Sequence, residues 1–357
     1  MTKKKVYVTL QDGQVFQGYR FGEEGDVTGE LVFSTGMVGY METLTDPSNL
    51  GQIVVQTFPL IGNYGGIRAD MERKKAWLSG YIVRECCEDP SNFRMEEKLE
   101  NFMKEEGIVG VYGLDTRALT KLLREKGVMN ARISNKPLTT EEVNALASHK
   151  TKAAVAMVSG AEKGYFASEN GEYTVIFWDF GGKNSSLSNW NQVGCNLLRV
   201  PANATVEELL ALGADGIILS DGPGDPMENT ALIAEVKKVL GKLPVLGVGL
   251  GHQLVALALG GKTQKMKCGH RGSNQPVKCL ESGKVYISSQ NHGYEVINGS
   301  VPQGKLSFVN VNDGSCEGME YAEYKAITVQ FDPASCGIGH PENVLYNQFI
   351  AMMKEGK

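Results

Sequence analysis

The sequence predicts an α/β protein in two parts: a β-rich mixed α+β domain over residues 1–150, and a three-layer α/β domain over residues 173–357 with a largely parallel sheet. Three observations carry this expectation. The chain has 357 residues, and domains of about 150 residues are the norm, so two are expected. The second half holds three short, largely apolar runs, Tyr173–Trp178, Asp215–Ser220 and Pro244–Val248, separated by helical patterns. Strands apolar on both faces and alternating with helices belong to a parallel sheet covered on both sides. The first half instead shows short strands punctuated by turns.

Lys5–Leu10, the turn Asp12-Gly13 and the run Gln14–Gly18 read as strand, turn and strand. Leu31–Phe33 and Gln52–Gln56 are further strands. Thr116–Lys126 places Leu119, Leu122 and Leu123 at helical spacing, and Gly127 is positioned to end that helix. Thr139 followed by Glu142 forms a capping box that opens a helix over residues 141–148. Residues 151–172 are small and polar, with Gly160, Gly164 and Gly171, and read as a linker. Beyond it, Thr205 with Glu208 caps another helix, and Ala231–Leu240 forms the helix before the third apolar run. The 43 glycines are scattered, not repeated, which fits tight turns and close backbone approaches.

Composition narrows the function. The net charge of −5 argues against a general nucleic-acid binder, which carries a basic excess. No apolar run approaches the roughly 18 residues of a membrane span, and the basic start before Val6–Leu10 is too short for a signal peptide. Seven cysteines without a regular framework fit reduced thiols, hence a cytoplasmic protein. There is no CxxC, and five scattered histidines give no zinc spacing, so no metal is expected.

Gly247-Val248-Gly249-Leu250-Gly251-His252-Gln253 follows the third strand and opens a helix (Leu254–Leu259). A dinucleotide fingerprint needs a glycine where His252 stands and an acidic residue about 20 positions on; both are missing. A nucleophile elbow fits the strand-turn-helix context, but its nucleophile position is Gly249. A tight turn without chemistry fits equally well.

Leu246–Ala258 and Lys265–Gly272 resemble the carbamoyl phosphate synthetase small-subunit family, whose second domain is a class I glutamine amidotransferase. Leu219–Pro226 and Ser289–Gly293 extend the resemblance. In the first half Phe33–Tyr40, Leu44–Ser48, Pro59 with Ile61–Tyr64 and Gly65, and Leu114–Thr120 resemble the family's own N-terminal domain. The resemblance implies a chain that hydrolyses glutamine and passes ammonia to a large synthetase subunit, which makes carbamoyl phosphate for arginine or pyrimidine synthesis. It implies ATP and magnesium on that partner only, and no cofactor here.

Family members carry an elbow Cys and a His-Pro-Glu motif, because amide hydrolysis needs a thiolate, an imidazole and a carboxylate to orient it. The corresponding positions here are Gly249, Asp332 and Ala334, the last by substitution or by a deletion after Pro333. Loss of a nucleophile alone costs about 10⁶ in turnover, and Asp in place of His removes the neutral-pH proton shuttle. No catalytic residue is therefore expected. Cys268, and Cys336 with His340, are the substitutes weighed, and both cysteines read as packing residues. The resemblance carries over a glutamine pocket of Ser48, Gly222, Gly224, Leu250, Gln253, Asn291, Gly293 and Tyr294, with Tyr294 replacing the usual Phe. These residues equally serve as scaffold. His252, His270 and His292 read as structural hydrogen-bonding residues. Three functions stay open: a synthetase subunit without glutaminase whose partner uses free ammonia, a non-catalytic glutamine-binding module or competitor of an active paralogue, and new chemistry with Asp332 as base.

Overall fold

The computed structural model describes residues 4–160, 163–337 and 343–355. The chain divides into two compact units, Met1–Lys152 and Ala153–Lys357.

The first unit is built on a closed barrel of seven strands. Around the ring they run Lys5–Leu10, Val15–Gly22, Val109–Tyr112, Gly80–Ile82, Gln52–Gln56, Val27–Ser34 and Met129–Ser134. Closure comes from antiparallel pairing of Lys5–Leu10 with Met129–Ser134, Val8 opposite Ile133. Closure removes exposed strand edges. In the first strand Val6, Val8 and Leu10 are fully buried, as the two-residue period of a strand requires. The helix Thr116–Lys126 is capped by Asp115, whose side chain accepts from Ala118 N, and ends at Gly127, where φ is 97°. The capping box at Thr139 and Glu142 is present, with its helix over Thr140–Leu146.

Residues 151–172 carry the short helix Ala154–Val158 and the strand Gly164–Phe166, which pairs antiparallel with Cys195–Pro201.

The second unit holds a ten-stranded sheet. Five strands form a parallel centre: Cys195–Pro201, Tyr173–Asp179, Gly216–Leu219, Val245–Val248 and Ala326–Val329. Alternate residues go to opposite faces. Ile176, Trp178, Ile217, Leu219 and Val245 pack beneath the helices Val206–Leu210, Thr230–Val239 and Leu250–Ala258. Val175, Phe177, Ile218, Leu246 and Val248 pack against Asn184–Gln192 and Val344–Glu355. Those runs are apolar throughout because helices cover both faces. Beyond Ala326–Val329 the sheet continues antiparallel through Cys316–Tyr321, Lys305–Asn310, Thr263–Cys279 and Val285–Val296. Among the described residues no helix is long and apolar enough to cross a membrane.

Candidate active site

The carboxyl ends of the parallel strands place four segments together: Phe180–Lys183, Ser220–Gly224, Gly249–Gln253 and Gln330–Ala334. In open α/β sheets this end is where ligands bind.

The elbow is built from close backbone approaches. Helix Leu250–Ala258 begins directly after Gly249, four residues earlier than the periodicity suggests. Gly249 has φ 54° and ψ −108°, a conformation that L side chains rarely adopt, and its N–H donates to Val329 O at 2.9 Å. A Cβ there would lie 3.0 Å from Asp221 Cβ. Gly251 lets the helix lie on the sheet, since a Cβ would stand 2.2 Å from Leu219 O. The strained strand-turn-helix geometry of a nucleophile elbow is thus present, with a glycine at its turn position.

Asp332 stands where the resemblance places a histidine. Its Oδ1 accepts from Ala334 N at 3.0 Å, capping the short 3-10 turn Pro333–Cys336, and its own N–H donates to Ser289 O at 3.1 Å. Its Oδ2 lies 3.1 Å from Lys183 Nζ, and both side chains are mostly buried. Sequence analysis names no partner for Asp332, and in the structure Lys183 is one. Its signal was its place just past the end of strand Tyr173–Asp179, as for Asp221 after Gly216–Leu219. One carboxylate oxygen of Asp332 thus caps a turn and the other faces an ammonium. A narrow cleft next to the elbow is lined by Asp221, Val248, Asp332, Phe177, Trp190 and Tyr346.

The residues carried over as a glutamine pocket have structural tasks of their own. A Cβ at Gly222 would meet Phe180 O at 2.4 Å, and Gly224 has φ 92°. Leu250 is the first helical residue after the elbow. Gln253 Nε2 donates to Tyr294 O and to Gln330 Oε1, both at 2.9 Å. Asn291, Gly293 and Tyr294 lie within the sheet, on the edge strand Val285–Val296 opposite Thr263–Cys279. A Cβ at Gly293 would stand 2.9 Å from Arg271 Nη2. Ser48 lies in the first unit, on the 3-10 turn Pro47–Asn49, its N–H held by Asp46 Oδ1 at 2.9 Å.

Neither substitute cysteine makes an elbow. Cys268 lies in the long strand Thr263–Cys279, and its carbonyl accepts from Arg271 Nη1 at 2.6 Å. Cys336 is buried in the 3-10 turn, and burial pushes its thiol up to about 12, which suppresses the thiolate. His340 lies outside the described residues. His252 is fully buried with Nδ1 2.8 Å from Thr328 Oγ1. His270 and His292 face each other across the edge hairpin, their rings 5.0 Å apart.

A parallel centre, a glycine-lined elbow and converging loops at the strand ends define a class I glutamine amidotransferase unit, and residues 176–352 match the model of that family, Glutamine amidotransferase class-I. Residues 8–133 match Carbamoyl-phosphate synthase small chain, CPSase domain. The carbamoyl phosphate synthase small chain of Bacillus caldolyticus is 44% identical over 98% of this chain and 97% of its own. Those of Clostridium perfringens (43%, over 97% and 99%) and Syntrophotalea carbinolica (40%, over 99% and 99%) are similar as well. Among solved structures, a glutamine amidotransferase from Thermotoga maritima aligns over 52% of this chain and 97% of its own, at 14% identity and a TM-score of 0.39. The chain belongs to the carbamoyl phosphate synthase small-chain family.

Proposed function

We propose that this chain is a small subunit of a carbamoyl phosphate synthase that has lost its own glutaminase. It partners a cytoplasmic large subunit that carries ATP and magnesium and uses free ammonia, for arginine or pyrimidine synthesis. The observation behind this reading is the pairing of a side-chain-free elbow, Gly249, with Asp332 held by Lys183 and by Ala334 N. Glutamine hydrolysis needs a nucleophile, a neutral imidazole within reach of it and a carboxylate to orient that imidazole. None of the three stands at the positions the family uses. The first unit supports a subunit role, because the family assignment spans it as fully as the second.

A second reading is favoured by the elbow's strained backbone, which persists although nothing catalytic hangs on it. In that reading the unit binds L-glutamine without turnover, through Leu250, Gln253 and the glycine loop, and acts as a regulatory module or as a competitor of an active paralogue.

Glutamate release from glutamine, with the purified chain alone and with a large subunit from the same genome, tests the proposal. The expected result is no glutamate release together with ammonia-dependent carbamoyl phosphate synthesis by the pair. Release at the rate of an intact amidotransferase overturns it. Failure of the two chains to assemble favours the second reading, which then requires glutamine binding by calorimetry.

A further inference from the structure

The ten-stranded sheet guards its two edges differently. One edge, Gly164–Phe166, is three residues long, and a short edge strand resists pairing with another chain. The other edge, Val285–Val296, is twelve residues long, and among the described residues no strand lies beyond it. Its opening run, Val285-Tyr286-Ile287-Ser288, holds no charge and no proline, the usual guards of a long edge. Val285 and Ile287 are 48% and 62% exposed, so this apolar stretch faces solvent.

The ladder shows which backbone groups are open. Cys279 N donates to Lys284 O at 2.9 Å, so Cys279 and every second residue before it face the edge strand. Val311 N donates to Pro276 O, which sets Pro276 and Lys278 toward the inner strand. Tyr286 opposite Val277 and Ser288 opposite Gln275 are therefore bonded to Thr263–Cys279. Val285 opposite Lys278 and Ile287 opposite Pro276 are not, and they turn their N–H and C=O groups to the outer edge. Ser289 also faces outward, but its N–H donates to Ser335 Oγ at 3.0 Å and its carbonyl accepts from Asp332 N at 3.1 Å. The 3-10 turn Pro333–Cys336 thus covers the edge from Ser289 on. At the other end Gly283 N donates to Cys279 O inside the hairpin turn. Val285 and Ile287 form an open window between two covered ends.

We propose that a second copy of this chain fills the window, adding its own Val285–Ser288 antiparallel about a two-fold axis at Tyr286 and joining two sheets into one. In this register Val285 lies opposite the partner's Ile287 and Ile287 opposite the partner's Val285, and each pair exchanges both hydrogen bonds. These are apolar cross-strand pairs, and Lys284 lies opposite the partner's Ser288, so no like charges meet. The partner's Gly283 falls opposite Ser289. Each copy's hairpin turn therefore leaves the ladder where the other copy's 3-10 turn covers it, a match of both ends that self-pairing creates. Neighbouring axes lose this match. An axis at Val285 sets Ile287 opposite the partner's Gly283, whose N–H is spent within its turn. An axis at Ile287 sets Val285 opposite the partner's Ser289, whose N–H and C=O are already taken. The inference does not depend on whether glutamine is bound or hydrolysed.

The test is sedimentation velocity on the full-length chain, alone and mixed with a large subunit. The chain alone is expected to sediment as a dimer that dissociates on dilution. Ile287→Lys, at a mostly exposed side chain, should raise the dissociation constant at least about tenfold. Tyr286→Cys stands on the axis, where opposite residues that do not bond each other lie about 4.5 Å apart between Cα atoms, within the reach of a disulfide. On oxidation it should cross-link two copies through residue 286, as peptide mapping against the native chain reads. Should Tyr286→Cys fail to fold, Ile287→Lys decides. A chain that is monomeric at about 100 µM, a dimer indifferent to Ile287→Lys, or a folded Tyr286→Cys chain without that cross-link overturns the proposal. So does a monomer whose Ile287→Lys variant loses the large subunit instead, which would make that subunit the occupant.

Discussion

Asp332 Oδ2 and Lys183 Nζ lie 3.1 Å apart although 149 positions separate them in the chain. The pair joins the end of strand Ala326–Val329 to the start of helix Asn184–Gln192. Under the proposed function it occupies the place where a glutaminase would hold its general base.

Restoring single groups should therefore not restore turnover. Gly249→Cys places a side chain on backbone with φ 54° and sets its Cβ 3.0 Å from Asp221 Cβ. Strain of this kind costs about 1–3 kcal/mol, to be read as a lower urea midpoint. Glutamate release should stay absent in this variant and in Gly249→Cys with Asp332→His, because Ala334 supplies no carboxylate to orient the new imidazole. Turnover by the double variant would show that a carboxylate elsewhere takes that role.

Gly251→Ala sets helix propensity against packing. Alanine favours a helix over glycine by about 1 kcal/mol. Here its Cβ would stand 2.2 Å from Leu219 O, and overpacking of this sort costs about 1–3 kcal/mol. Net destabilisation is expected in thermal unfolding, and a raised Tm would mean that the helix can move off the sheet.

Asp179→Ala should be among the most damaging single substitutions. Asp179 is buried, and its Oδ2 accepts from Arg199 Nε at 2.8 Å and Nη2 at 2.6 Å. Its Oδ1 accepts from Gly181 N and Gly182 N at 3.1 and 3.0 Å, fixing the loop that carries Lys183. Removing one member of a buried pair costs about 3–5 kcal/mol. Arg199→Met in the same background should cost far less than in the native chain, which a double-mutant cycle reads directly.

Acid sensitivity should trace in part to His252. Burial alone lowers its pKa to about 3, below the ordinary histidine value. The unfolded chain therefore takes up this proton first. The contribution to stability is complete above about pH 6.5 and is lost as pH falls toward 3, at up to about 1.4 kcal/mol per pH unit. Urea midpoints between about pH 5 and pH 7 should fall with acidity in the native chain. His252→Gln should flatten that slope, and an unchanged slope would place the proton uptake elsewhere.

Much of the second unit was legible because its signals are local. Apolar runs such as Tyr173–Trp178 mark strands buried on both faces, and Thr205 with Glu208 satisfies orphan helix N–H groups within four residues. The antiparallel extension was not legible. Its strand Thr263–Cys279 is rich in Lys, Gly and polar residues, so it offers neither an apolar run nor a clean alternation.

The sequence by itself determined the layered α/β order, the family, and the identity of Gly249, Asp332 and Ala334, because these are properties of residues and their near neighbours. Only the tertiary structure decided that Lys5–Leu10 closes a barrel against Met129–Ser134, that Lys183 meets Asp332, and that His270, His292 and Glu317 come within 4.8 Å of one another. Each of these depends on which surfaces the strands bury against one another. Close contacts between residues far apart in the chain form only when the whole core closes, and short-range spacing carries no trace of them.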